Sequence, residues 1–393
     1  MTETALLAVV LAAAAGLLAG RAWKAARLRD DLASGAFRAS PHYAQALQSL
    51  AAGQLDLASR ELEKVAREEP EAFEVQLVLG HLLRETGHVE RAMQMHQALL
   101  ARDGLARTQR AQAKVGLGQD QRSAGFIDRA TRTFEEILDG DPKNLHALEG
   151  LARIHEDQRR WHAAYEVRVR LKRIRKSDDS LVLGYLQAEL GREALAANRR
   201  DEAERAFRTA LRLDPRVFPA HLGLADLVLD RDPRRAAALL TEAIRTAPER
   251  AYLAFDRLFG AFHACGEPSR FVELCEDIVR HDPRDWRARV ALARHLRASG
   301  KPDEAQGLLL RAVAENPHVL LVHLEMWRTL RALGVGDERV AQYDATCQEA
   351  VFYRDPHICT KCRYRADAML WRCPHCHEWN SFIEERVGPA AER

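Results

Sequence analysis

The chain opens on an apolar run, Ala5 to Gly20, of 16 positions without a charge. At a rise of about 1.5 Å per residue this makes about 24 Å of helix, short for a bilayer core. Extended from Thr4 to Trp23 it has 20 positions and reaches about 30 Å, with Arg21 snorkelling and Trp23 at the interface. A transmembrane helix is therefore expected within residues 1–23. Beyond it a longer rhythm takes over, in which Ala58, Ala92, Ala130, Ala164 and Ala203 stand 34, 38, 34 and 39 residues apart. Pro215, Pro248, Pro283 and Pro317 follow at separations of 33, 35 and 34. Small residues at that period let two helices approach closely, and a proline without a backbone N–H stops the second helix of each pair.

The clearest unit reads Leu190-Gly191, Ala203, Phe207, Ala210 and Pro215, and the same offsets return Leu117-Gly118, Ala130, Phe134, Ile137 and Pro142. Leu79-Gly80 with Ala92 repeats the first half; Leu292-Ala293, Ala305, Leu309, Ala312 and Pro317 repeat nearly all of it. This pattern resembles the tetratricopeptide repeat over residues 41–340, as eight units with a degenerate ninth at about 318–340. The fold class expected is all-α, a tetratricopeptide-repeat superhelical solenoid. Its concave side is an extended surface for proteins or peptides. The repeats near 41–70 and 249–283 are degraded, and Phe271 stands where the small Ala would be.

Composition changes this picture little. Fifty-nine Lys plus Arg against 57 Asp plus Glu leave a net charge of +2, so no field of the whole molecule attracts nucleic acid or anionic lipid. Locally, Arg21, Lys24, Arg27 and Arg29 follow the apolar run, while Glu3 alone precedes it. That distribution argues against a cleaved signal and places the body of the protein on the cytoplasmic side, behind a basic juxtamembrane linker at 24–40. Arg168, Arg170, Lys172, Arg173, Arg175 and Lys176 crowd one helix whose apolar stripe is Val167, Leu171 and Ile174. A solvated face complementing the helix dipole is the favoured reading, with docking of an acidic partner as the alternative.

Seven cysteines are present, and four fall in two pairs, Cys359-x2-Cys362 and Cys373-x2-Cys376, with ten residues between the pairs. Two chelating pairs of thiolates close a tetrahedron around one ion, a metal pattern and not a disulfide framework. No position is left for water or substrate, so the site is structural or electron-transferring in type. His357, His375 and His377 are nearby alternative ligands, and Trp371 and Trp379 are expected to supply the hydrophobic packing of so small a domain. Cys265, Cys275 and Cys347 read as buried apolar thiols.

The order of anchor, repeats and tetrathiolate, and above all the ending Leu370-Trp371-Arg372-Cys373-Pro374-His375-Cys376 with Trp379, resembles the lipopolysaccharide assembly protein B family. That resemblance implies a rubredoxin-like or zinc-ribbon β domain at 355–386, joined by a linking helix at 341–354 and followed by a tail at 387–393. It implies one iron held by Cys359, Cys362, Cys373 and Cys376, with zinc as the alternative metal, and a domain that packs back on the repeats. It further implies a single-pass adaptor of the inner membrane, which regulates lipopolysaccharide biosynthesis. Such an adaptor brings the deacetylase committing carbon to lipid A to the membrane ATP-dependent protease, and lipopolysaccharide assembly proteins are further implied partners. Arg363 departs from the Gly that rubredoxin-type knuckles often carry after the second cysteine.

No Walker A loop, Gly-x-Ser-x-Gly elbow or His-Glu-x-x-His helix occurs; Gly116-Leu117-Gly118 and His155-Glu156 are incomplete fragments of such motifs. A non-enzymatic adaptor is the expectation, with catalytic residues: none. The alternative from another class is a zinc ribbon that binds nucleic acid through Lys361, Arg363, Arg365 and Arg372. Glu378, Glu384 and Glu385 offset that charge. A metal domain placed directly after the last repeat is also expected to cover that repeat's apolar end.

Overall fold

In the computed structural model the residues described are 40–342, except 318, 337 and 339, and 357–384. The expected anchor at 1–23, nearly all of the linker at 24–40 and of the linking helix at 341–354, Cys347 and the tail at 387–393 lie outside them. Among the described residues no helix is long and apolar enough to cross a membrane. These residues form two compact units, which divide after Gln158.

The first unit holds seven helices: α1 (Pro41–Ala51), α2 (Leu55–Glu68), α3 (Phe73–Glu85), α4 (Val89–Leu100), α5 (Arg107–Ser123), α6 (Ile127–Gly140) and α7 (Leu145–Asp157). The second begins with α8 (Trp161–Arg175), α9 (Ser180–Ala196), α10 (Arg200–Leu213), α11 (Phe218–Val228) and α12 (Pro233–Thr246). A 3-10 turn, Pro248–Ala254, leads into α13 (Phe255–Ala264), α14 (Pro268–His281), α15 (Trp286–Ala298), α16 (Pro302–Glu315) and α17 (Leu320–Ala332). The proline rule holds closely. Pro70, Pro142, Pro215, Pro248, Pro283 and Pro317 each fall two residues past the last residue of α2, α6, α10, α12, α14 and α16.

The repeat glycines are explained by the rings they accommodate. Phe134, fully buried in α6, lies between Gly118 of α5 and Gly150 of α7, where an added Cβ would come within 2.8 and 2.4 Å of the ring. Phe207 of α10 lies in the same way between Gly191 and Gly223, at 2.6 and 2.4 Å. One aromatic side chain thereby fills the space that two missing side chains leave, and it ties each helix pair to the next. In α4 the same place is taken by His96, between Gly80 and Gly116. A buried imidazole needs a partner, and His96 Nδ1 lies 2.5 Å from Asp120 Oδ2, whose other oxygen accepts from Arg84 Nη1 at 3.0 Å.

The degraded repeat also has a physical form. Phe271, buried in α14, meets Phe255 and Phe259 edge to face at 6.5 and 5.5 Å. Its first helix is replaced by the 3-10 turn followed by the short α13, an arrangement that a bulky ring accommodates and a small Ala would not require. Cys275 is buried in α14, and burial pushes its thiol up to about 12. Cys265 corrects the expectation: it caps the C-terminus of α13 half-buried, and so is not a core thiol.

After the repeats of the second unit, three short strands form one antiparallel sheet, β1 (His357–Cys359), β2 (Arg365–Ala366) and β3 (Phe382–Glu384), in the order β2-β1-β3. Ile358 pairs with Arg365 on one side and Ile383 on the other.

Candidate metal centre and its seat

Each cysteine pair is a tight backbone turn. In the first, Arg363 N–H donates to Cys359 O at 2.9 Å and Arg363 takes φ +64°. In the second, His377 N–H donates to Cys373 O at 3.0 Å and His377 takes φ +62°. The left-handed position after the second cysteine is thus used twice, both times by a residue with a Cβ, at a cost of about 1 kcal/mol each. Arg363 adopts the conformation that Gly would adopt more cheaply, and the geometry of the first knuckle is retained.

The turns bring the four sulfurs within 4.8 Å of one another. Cys359 Sγ lies 3.6 Å from Cys376 Sγ, and Cys362 Sγ 3.6 Å from Cys373 Sγ. A tetrahedral ion with metal–sulfur bonds of about 2.3 Å calls for a sulfur separation of about 3.8 Å. The four cysteines therefore form a metal-binding group in a rubredoxin-like domain, and they fit a single ion. Around them only Phe382, Ala366, Met369 and Leu370 form an apolar core, too little to hold 28 residues without a further constraint.

Protonation matters to this cluster. Burial raises the Cys359 thiol, but Ser381 and the backbone N–H groups of Cys362 and Lys361 outweigh it and bring it down to about 6. Burial and the neighbouring sulfurs push Cys376 up to about 12. The three histidines do not join the group: His357 Nε2 lies 2.9 Å from Tyr252 Oη, His375 stacks on Tyr364, and His377 forms the second turn. Of the cations read as possible phosphate contacts, Arg372 lies over the Trp379 ring at 5.9 Å, while Lys361, Arg363 and Arg365 are exposed.

Trp371 and Trp379 give the sharpest correction. They do not form the domain's own core but project into the repeats of the second unit. Trp379 stacks on Tyr185 of α9 at 5.7 Å and meets Trp161 of α8 edge-on at 6.2 Å. Trp371 lies 5.9 Å from Tyr185 and 6.3 Å from Phe218 of α11, with the buried Arg250 guanidinium over its face. Polar contacts complete the seat: Tyr185 Oη donates to Asn380 Oδ1 at 2.7 Å, and Arg287 of α15 pairs with Glu384. The domain is seated along α8 to α15, so the expectation that it covers the end of the last repeat is corrected. The stacking of Trp371 and Trp379 on Trp161, Tyr185 and Phe218 holds the domain there, since large rings bury much apolar surface and pair favourably.

Trp161, Tyr185, Phe218, Arg250, Tyr252 and Arg287 were not singled out by the sequence. A signal was there, since Tyr185, Phe218 and Tyr252 recur at 33 and 34 residues in a chain with only 6% aromatics.

Comparison with known proteins agrees with this architecture. The rubredoxin metal binding domain profile matches residues 357–384. Tetratricopeptide repeat profiles match 49–115 and 266–332, and 115–167 and 188–232. Lipopolysaccharide assembly protein B of Haemophilus influenzae is 26% identical over 396 residues, covering 97% of this chain and 98% of that protein. The protein of the same name from Escherichia coli K12 is 24% identical over 384 residues, covering 97% of each. Among solved structures, a tetratricopeptide repeat protein from Parabacteroides merdae aligns with a TM-score of 0.27 at 15% identity, over 74% of this chain and 97% of that one. With its repeats, its rubredoxin-type domain and similarity along 97% of its length, this chain is a homologue of the lipopolysaccharide assembly B proteins.

Proposed function

We propose that this chain is a non-enzymatic adaptor of lipopolysaccharide assembly, anchored in the inner membrane by residues 1–23 with its repeats and metal domain on the cytoplasmic side. In this reading the repeats bring the deacetylase that commits carbon to lipid A to the membrane ATP-dependent protease for degradation. The observation that carries it is the similarity along 97% of the chain to the lipopolysaccharide assembly B proteins. The repeat architecture supports it, because stacked helix pairs present an extended surface for proteins.

Cys359, Cys362, Cys373 and Cys376 hold one iron, with zinc as the alternative. When bound, the ion cross-links four points of a domain whose own apolar core is small. Four sulfurs fill the tetrahedron, so the centre is closed to water and its role is to fix the domain on its seat.

The test is affinity capture of the full-length, membrane-extracted protein, with bound metal quantified in the same sample. Recovery of the protease or the deacetylase with about one iron or zinc per chain is the expected result. Recovery of nucleic acid or ribosomal proteins in their place would overturn the adaptor reading and favour a nucleic-acid-binding ribbon.

A further inference from the structure

The seating of the metal domain creates a groove of about 940 Å³ in the second unit, with repeats on one side and β3 on the other. Its apolar floor is Ile244 of α12 and Leu274 and Ile278 of α14, facing Met369, Phe382 and Ile383 of the metal domain. Ile383 is 45% exposed and offers apolar surface at the groove. In the described sheet β3 is an edge strand, paired with β1 alone.

Charge decides what fits. Five carboxylates line the groove, those of Glu249, Asp277, Asp282, Asp285 and Glu384. The two guanidiniums there are engaged: Arg245 is held by Glu242 at 2.6 and 2.9 Å, and Arg250 turns toward Tyr185 and Trp371. His281 lies beside Asp277. Of the carboxylates, Glu384 has its side chain only 7% exposed and paired with Arg287, while Asp277 lies 3.4 Å from Arg280 and Glu249 3.9 Å from Arg250. Five carboxylates against two guanidiniums still leave the lining with an excess of negative groups, exposed at Glu249 and Asp277 beside the apolar floor.

We propose that this groove binds an extended apolar peptide segment flanked by Lys or Arg, added along the edge of β3. Main-chain bonds to β3 would give affinity, the apolar floor would take alternate side chains, and the rim would select the flanking charge. The site rests on the adaptor reading for the existence of a partner and locates where part of that partner docks. One wall belongs to the metal domain, so peptide binding and metal retention are linked.

The experiment uses the full chain, metal-loaded, in nanodiscs of neutral lipid, and two fluorescent decapeptides with the same Leu-Phe-Leu core. One carries two Lys at each end and the other two Glu. Fluorescence polarisation is expected to show the Lys peptide binding at least about ten-fold more tightly than the Glu peptide, a difference of about 1.4 kcal/mol. Ile383→Ser, at an exposed position, should weaken the Lys peptide several-fold while metal content and helical circular dichroism stay unchanged. Glu249→Lys with Asp277→Lys should reverse the charge preference. Equal binding of both peptides, no binding, or no effect of Ile383→Ser overturns the proposal. So does concentration-dependent dimerisation abolished by Ile383→Ser, which would make a second copy the occupant. Protein capture that persists in Ile383→Ser alongside absent peptide binding removes the groove and leaves the adaptor standing.

Discussion

At the scale of single residues, the repeats are held by rings placed against missing side chains. Phe134 and Phe207 each fill the volume opposite two glycines, so adding or removing atoms there is costly in either direction. Gly150→Ala, whose methyl would stand 2.4 Å from the Phe134 ring, is expected to cost about 1–3 kcal/mol. Phe207→Ala leaves a cavity between Gly191 and Gly223 and should cost about 3–5 kcal/mol. Urea denaturation followed by helical circular dichroism checks both, and a change under about 0.5 kcal/mol would refute the ring-in-gap account. His81 behaves differently. Burial, aided by the Arg84 charge, lowers its pKa to about 4 from the usual 6.5. Between those values the unfolded chain holds the proton and the folded one does not. Stability from the neutral imidazole is therefore fully present above pH 6.5 and lost as pH falls toward 4, by on the order of 2 kcal/mol. His81→Gln should flatten that part of the stability profile, measured as denaturation midpoint against pH.

At the scale of elements, the two knuckles share one turn, and the left-handed residue after the second cysteine is its strained point. Arg363→Gly relieves that strain and should stabilise the metal-loaded domain by about 1 kcal/mol, read as slower metal release to a chelator. Metal release faster than in the parent chain would show that the arginine side chain matters more than its backbone. The knuckle spacing and the repeat prolines were legible because both are local: ligand geometry and a missing N–H act within a few residues. The end of each proline-marked helix could be placed to within two residues. The fate of Trp371 and Trp379 was not legible, since indole rings beside a knuckle pack equally well inward on the domain or outward on a neighbour. The partners that drew them outward, Trp161, Tyr185 and Phe218, come from three helices far back in the chain.

At the scale of the whole molecule, the metal domain is part of the stability of the second unit. Its seat spans α8 to α15 through aromatic stacking, the Tyr185–Asn380 hydrogen bond and the Arg287–Glu384 pair. Cys373→Ser, or removal of the metal by a chelator, should therefore unseat the domain. Hydrogen exchange at α9 and α11 should speed up, and the indole emission of Trp371 and Trp379 should shift as they leave Tyr185. Unchanged exchange in α9 and α11 after complete metal removal would separate the domain from the repeats energetically. The net charge of +2 gives no long-range field to assist this docking, so it depends on contact and burial.

The sequence by itself determined the helix pairs, their period, the prolines that end them and the tetrathiolate. Each of these is a short-range constraint, written in spacings that a chain cannot satisfy in many ways. Tertiary structure alone decided where the metal domain sits, which aromatic residues receive it, and that a groove with an acidic rim opens beside β3. Those features join residues separated by about a hundred positions or more, and the burial of apolar surface that selects among such long-range pairings is marked in the chain only by the recurrence of Tyr185, Phe218 and Tyr252, which names no partner.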